Sequence, residues 1–126
     1  DGMLQNASSL SKIKLPGRLQ SIPDHTFRNA VKLENCQIGS GVTKIGNSAF
    51  QGCKKLQRLI LPGQVQTIGK RTFYQCKKLK KVTIRTVQLR KIGKEAFKGC
   101  ASKIQFAVPK GKQTAYAKLL KGKYGK

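Results

Sequence analysis

Apolar residues recur along this chain with a period of 23 or 24 residues. The clearest phrase places an isoleucine, a phenylalanine and a small residue at fixed spacings, as in Ile45, Phe50 and Cys53. The phrase returns one period later from Ile68 and again from Ile92. A fixed period of this length predicts a solenoid, because each unit is too small to bury its apolar side chains without a stacked neighbour.

Each unit divides into a strand and a tight turn. Apolar and polar residues alternate around Leu59 and Leu61, which is the period of a half-buried strand, and Pro62 then ends the strand. Phe50 and Cys53 are three residues apart, which predicts a helical or 3₁₀ turn. Residues 65–68 form a short extended stretch between the strand and the next such turn, which begins at Phe73. Stacked units should place like residues in columns, with parallel strands about 4.8 Å apart.

Residues 50–76 carry the full pattern of strand, proline, Ile-Gly and Phe-x-x-Cys, and the pattern resembles the BspA-type (Treponema-type) leucine-rich repeat. The resemblance covers about residues 3–109. It implies a leucine-rich repeat solenoid of the α/β type, with short parallel β-strands on the concave side and short extended and helical or 3₁₀ turns on the convex side. It also implies a bacterial cell-surface or secreted protein that acts in adhesion and protein binding, and hence an extracellular or cell-surface location.

The repeats predict two regions. Residues 1–109 form a solenoid of four to five units that starts in the middle of a repeat, since Leu4 aligns with Phe50. Residues 110–126 form a C-terminal capping helix, indicated by the helical spacing of Tyr116, Leu119 and Leu120, and a basic tail that is expected to be loose. Because solenoids normally begin with a capping unit, we expect the chain to be the C-terminal segment of a longer protein.

Charge is the strongest compositional feature. The chain has 27 lysines and arginines against four acids, a net charge of +23, which predicts affinity for polyanions. Lys54 and Lys55 stand one period before Lys77 and Lys78, so the repeat should stack them in short columns. A solvated surface is the simpler interpretation, since most of the cations are lysines and arginine is favoured for bidentate phosphate recognition.

Outward-facing positions on the strands are the predicted partner-binding surface. They are Lys12, Lys14, Asn35, Gln37, Arg58, Ile60, Lys81, Thr83 and Arg85. Their mixed basic and polar character favours an acidic host or bacterial surface protein, or an anionic glycan or wall polymer. Nucleic acid is expected to bind only non-specifically, because most aromatic side chains are assigned to the core. No apolar run predicts membrane insertion, and the oligomeric state stays open. Alternative functions are a rigid structural spacer that presents another domain, or a polyanion or nucleic-acid binder through the total charge.

Catalytic chemistry has little to draw on in this sequence. Cys53, Cys76 and Cys100 share a column with Ala30, so the position favours a small apolar residue and free thiols over a metal ligand, although a Cys53–Cys76 disulfide stays open. His25 is the single histidine and falls at a variable surface position. The sequence therefore predicts a protein that is not an enzyme, with no catalytic residues, no metal site and no cofactor.

Overall fold

The computed structural model describes residues 4–125, which wind into a solenoid of stacked parallel coils. One strand of each coil lies in a first sheet, on the side predicted to be concave, and these strands are β1 (Lys12–Lys14), β3 (Asn35–Gln37), β5 (Arg58–Leu61), β7 (Lys81–Ile84) and β10 (Gln105–Ala107). Buried and more exposed residues alternate along β3, β5 and β7, as the sequence pattern predicts, and in the outermost strands β1 and β10 the inward residue is half-buried. The predicted repeat solenoid is therefore confirmed.

A second parallel sheet forms from the stretches that the sequence predicts only as extended segments. Its strands, in spatial order, are β2 (Ser21–Ile22), β4 (Lys44–Ile45), β6 (Thr67–Ile68) and β8 (Lys91–Ile92). Ile45 pairs with Ile68 and Ile68 with Ile92, so the repeated isoleucines form one continuous buried column. This sheet links four successive coils without a break.

The first sheet, in contrast, is in two parts. β1 pairs with β3, and β5 pairs with β7 and β7 with β10, but β3 and β5 form no ladder within residues 4–125. Ile13 aligns with Cys36 across the first pair, and Leu59 with Val82 across the second, which confirms the predicted strand column. The coil stack is continuous at this junction through the second sheet and through turn bonds such as that from the Phe50 N–H to the Thr72 carbonyl oxygen, at 2.8 Å.

Phenylalanine rings form the centre of the core. Phe27, Phe50, Phe73 and Phe97 are fully buried and stack with ring centroids 5.1, 5.2 and 5.1 Å apart. The ring planes differ by 21° or less, so the repeat imposes nearly the same rotamer on each unit. Phe106 closes the row edge-on against Phe97 at 5.1 Å. Phe50 and Phe73 each have a ring stacked on both faces, so the core of one unit is completed by the units on either side of it.

The segment on either side of each repeated phenylalanine is a series of tight turns. The Phe73 carbonyl oxygen accepts a hydrogen bond from the Cys76 N–H, which is the i+3 spacing of the predicted 3₁₀ turn. Residues in the left-handed backbone conformation interrupt this series, however. Ser48, Arg71 and Glu95, for example, have φ values of 56°, 54° and 58°. No regular helix therefore forms in these segments of the described chain. The turns also pack closely, since a Cβ on Gly69 would lie 2.5 Å from Asn47 Oδ1.

The cysteine column has a structural role. The thiols of Cys53, Cys76 and Cys100 donate to the carbonyl oxygens of the phenylalanines of the preceding coil, at distances of 3.2, 3.0 and 3.3 Å. The four cysteines of the chain are free thiols in the structure. Burial raises the pKa of Cys100 and of Cys36 to about 12. The buried thiol is neutral and behaves as a small apolar group with a weak donor, and it is this small size that Ala30 shares at the equivalent position.

The C-terminal helix α1 (Gln113–Leu120) packs against β8 and buries Tyr116 and Leu120, as its spacing predicts. The Tyr116 hydroxyl donates to the Thr86 carbonyl oxygen at 2.8 Å, within the segment where the repeat is one residue longer. The prediction of a loose tail is wrong for the part that is described, because β11 (Tyr124–Gly125) pairs with β9 (Phe97–Lys98) and continues the stack. Residues 1–3 and 126 of the predicted regions lie outside the described residues. The one helix found among residues 4–125 is too short to cross a bilayer.

Candidate binding surface

The predicted binding residues lie together on one face. Eight belong to β1, β3, β5 and β7, and Arg85 follows β7 directly, where its N–H donates to the Leu61 carbonyl oxygen at 2.9 Å. Their side chains are exposed, except that of Thr83, which is half-buried. Parallel pairing aligns Arg58 with Lys81 and Ile60 with Thr83, so like positions form columns that run across the strands. The structure therefore brings all nine residues onto the outer surface of the first sheet.

Little negative charge offsets the cations. The ion pairs found within residues 4–125 both use Glu95, whose carboxylate lies 2.8 Å from Arg71 Nε and 3.2 Å from Lys98 Nζ. These contacts, led by the hydrogen bond from Arg71, lower the pKa of Glu95. The first sheet takes no part in this cluster, so the positive potential of its outer face is not neutralised by these pairs.

A groove marks the place where the first sheet is divided. It lies between β3 and β5 and has a volume of about 690 Å³. We call it the first-sheet groove, and the side chains that define it are Lys14, Asn35, Gln37, Arg58, Ile60 and Arg85. No carboxylate lies among its lining residues. Because β3 and β5 form no ladder, their facing edges lack the main-chain hydrogen bonds that join β5 to β7.

A second basic groove crosses the second sheet, and none of the nine predicted binding residues lines it. Its volume is about 1010 Å³, and its cationic side chains are Lys44, Lys70, Arg90, Lys91 and Lys94. We call it the second-sheet groove. The repeat spacing between Lys44 and Lys91 is the signal that could have found it, since both stand directly before the repeated isoleucine. The two grooves have no lining residue in common.

Comparison with known families identifies the repeat. The family model for the BspA type leucine rich repeat region matches residues 1–123 in six copies. The chain belongs to the BspA-type leucine-rich repeat family. Because this leucine-rich repeat is regular, most surface residues have an equivalent in the neighbouring repeat units.

A solved structure has the same fold as this leucine-rich repeat chain. It is a leucine-rich repeat protein from Bacteroides ovatus ATCC 8483, 28% identical, with a TM-score of 0.74. The match covers 86% of this chain and 28% of the other, so this chain spans about a quarter of that protein's length. A comparison with curated protein sequences found no match.

Proposed function

We propose that this leucine-rich repeat segment is a non-enzymatic binding module that binds an acidic segment of a partner protein in the first-sheet groove. The observation that carries the proposal is the composition of the groove. An exposed apolar side chain, Ile60, lies among Arg58, Arg85 and Lys14, beside unpaired strand edges.

Ile60 is the apolar centre of this surface. It is 45% exposed, although the equivalent position in the neighbouring strands carries Thr83 or Gln37. Protein-binding sites commonly combine an apolar centre with a polar rim, and arginine is enriched in them. The guanidinium groups of Arg58 and Arg85 offer fork-shaped donors that match carboxylates, which favours an acidic partner.

The partner's backbone has its own recognition elements. Asn35 and Gln37 carry amides that donate and accept, and the unpaired edges of β3 and β5 offer main-chain groups. An extended peptide that places carboxylates on the two arginines and an apolar side chain on Ile60 would use all of these groups. This arrangement supports a protein ligand over a uniformly charged polymer, for which Ile60 offers no interaction.

The test uses short fluorescein-labelled peptides with glutamate at alternate positions and either leucine or serine at the centre. Binding is followed by fluorescence anisotropy at physiological ionic strength. We expect the double variant Arg58→Glu/Arg85→Glu to weaken binding of the leucine peptide by more than about tenfold, since each lost charge-assisted hydrogen bond contributes about 1.5–3 kcal/mol. Ile60→Ser should weaken the leucine peptide and leave the serine peptide unchanged.

A matched control is Lys54→Glu/Lys55→Glu, which gives the same change of net charge at exposed residues outside the groove. Equal losses in the control and the arginine variant would mean that total charge, not the groove, attracts the peptide. Peptides that do not bind the unmodified protein at all would favour the alternative function, a rigid spacer that presents another domain.

The family also supports a cell-surface or secreted location, which we propose for the parent protein. Antibodies raised against this segment should label intact cells. Labelling that requires permeabilised cells would contradict the proposed location.

A further inference from the structure

The second-sheet groove contains a hydrogen-bond ladder that ends inside it. The Asn47 N–H donates to Asp24 Oδ1 at 2.7 Å, and the Lys70 N–H donates to Asn47 Oδ1 at 2.8 Å. These residues occupy one repeat position, immediately after the Pro or Gly of each turn, and Lys94 is next in the column. The lysine side chain has no acceptor atom, so the side chain of Lys70 cannot accept a hydrogen bond from the Lys94 N–H. That N–H accordingly has no hydrogen-bond partner among the described residues.

Cationic side chains surround the end of the ladder. The column reads acid, amide, lysine, lysine from Asp24 to Lys94, so positive charge increases toward the C-terminal end of the groove. Lys91 lies on β8 beside this end, and Lys44 is two coils away in the same column, with Thr67 between them. Strand spacing places those two lysine positions about 10 Å apart along the solenoid axis.

This combination is suited to a tetrahedral oxyanion. An unpartnered backbone N–H gives a directed donor, and flexible ammonium groups give compact charges that adapt to several oxygen positions. No aromatic side chain lines the groove, so it lacks the stacking surface that single-stranded nucleic acid uses. The hydroxyl of Thr67 and the amide of Asn47 can instead bond to hydroxyl groups of a sugar.

We propose that the second-sheet groove binds a linear sulfated polysaccharide, with one sulfate on the Lys94 N–H between Lys70 and Lys91. The chain of the polysaccharide lies along the solenoid axis and reaches Lys44 with a second sulfate. This surface shares no lining residue with the first-sheet groove.

The deciding experiment compares two variants that remove the same charge from the same groove. Lys70→Asn introduces an amide oxygen that can accept the Lys94 N–H and extend the ladder, whereas Lys44→Asn leaves that N–H free. Binding of a heparin oligosaccharide is measured by titration calorimetry over a range of salt. We expect Lys44→Asn to weaken binding about fivefold and Lys70→Asn about thirtyfold, because the second variant also occupies the N–H. Circular dichroism should show both variants folded.

Three outcomes would overturn the proposal. Equal losses for the two variants would mean that the Lys94 N–H does not contact the ligand. A similar loss for Lys54→Ala, a lysine outside the groove, would mean that heparin binds the net charge. Polyphosphate or single-stranded DNA that binds more tightly than heparin, with the same dependence on Lys70, would mean that the groove selects phosphate and not sulfated sugar.

Discussion

Replacing Phe73 with alanine measures how much a phenylalanine ring that is stacked on both faces contributes to the stability of the core. Phe73 is fully buried, with the ring of Phe50 at 5.2 Å and that of Phe97 at 5.1 Å. Removing a buried phenylalanine side chain costs about 3–5 kcal/mol, and each aromatic pair contributes about 0.5–1.5 kcal/mol beyond its buried area. With two pairs lost, we expect Phe73→Ala to cost about 5 kcal/mol, at the top of that range.

Phe27 is the matched comparison, because it is equally buried but stacks on one ring alone among the described residues, that of Phe50 at 5.1 Å. Phe27→Ala should therefore cost about 1 kcal/mol less than Phe73→Ala. A domain of this size has a stability on the order of 6–19 kcal/mol, so at least the less damaged variant should fold. Urea unfolding followed by far-UV circular dichroism measures both losses, with an unchanged dependence on urea as the check that the transition is the same. A loss below about 2 kcal/mol for Phe73→Ala, or a larger loss for Phe27→Ala, would refute the stacking account.

Three further predictions concern the turns, the cap and the thiols. Gly69→Ala should destabilise the protein by about 1–3 kcal/mol, because its Cβ would overlap the preceding coil, whereas Gly63→Ala, which meets no atom within 4 Å, should be neutral or stabilising in the same urea assay. Tyr116→Phe should cost about 1–3 kcal/mol, since it leaves a buried carbonyl oxygen without its donor; a melting temperature equal to that of the unmodified protein would contradict the cap assignment. The raised pKa values of Cys36 and Cys100 mean that the folded state keeps protons that the unfolded chain loses, so stability is full below pH 9.0 and falls as pH rises toward about 12. Replacing both cysteines with alanine should flatten that fall, and an unchanged slope would mean that other groups cause it.

The core could be predicted from the sequence because the same repeat positions carry apolar residues in successive units. The alternation around Leu59 and the fixed spacing from Ile68 to Phe73 each recur in several copies, so chance matches are averaged out. Ala30 stands at the repeat position that carries cysteine in later units, which likewise indicates that this position serves packing and not catalysis or metal binding. The thiol-to-carbonyl bond itself was not predictable, since it depends on which backbone oxygen the stack places beside Cys53.

Features that join one coil to the next were harder to predict. The division of the first sheet between β3 and β5 depends on the distance between strands, and the residues of β3 have ordinary strand patterning. The ladder from Asp24 to Lys70 uses side-chain oxygens whose direction is set by the turn. The repeat position that carries it holds an acid, an amide and two lysines, so no common residue type marks it in the sequence. The strand formed by Tyr124 and Gly125 pairs with a segment that is remote in the chain, and local composition there is typical of a loose tail.

The divided first sheet has a mechanical consequence. Between the second and third coils, the surviving backbone links run through the second sheet and the phenylalanine turns, and both lie away from the first sheet. Two coils that are joined by backbone hydrogen bonds on one side only should bend most easily about that side. We therefore expect the coils to bend most easily at the β3–β5 junction, in a hinge motion that would widen or narrow the first-sheet groove. Cross-linking the two edges would stiffen the array without touching a single core residue.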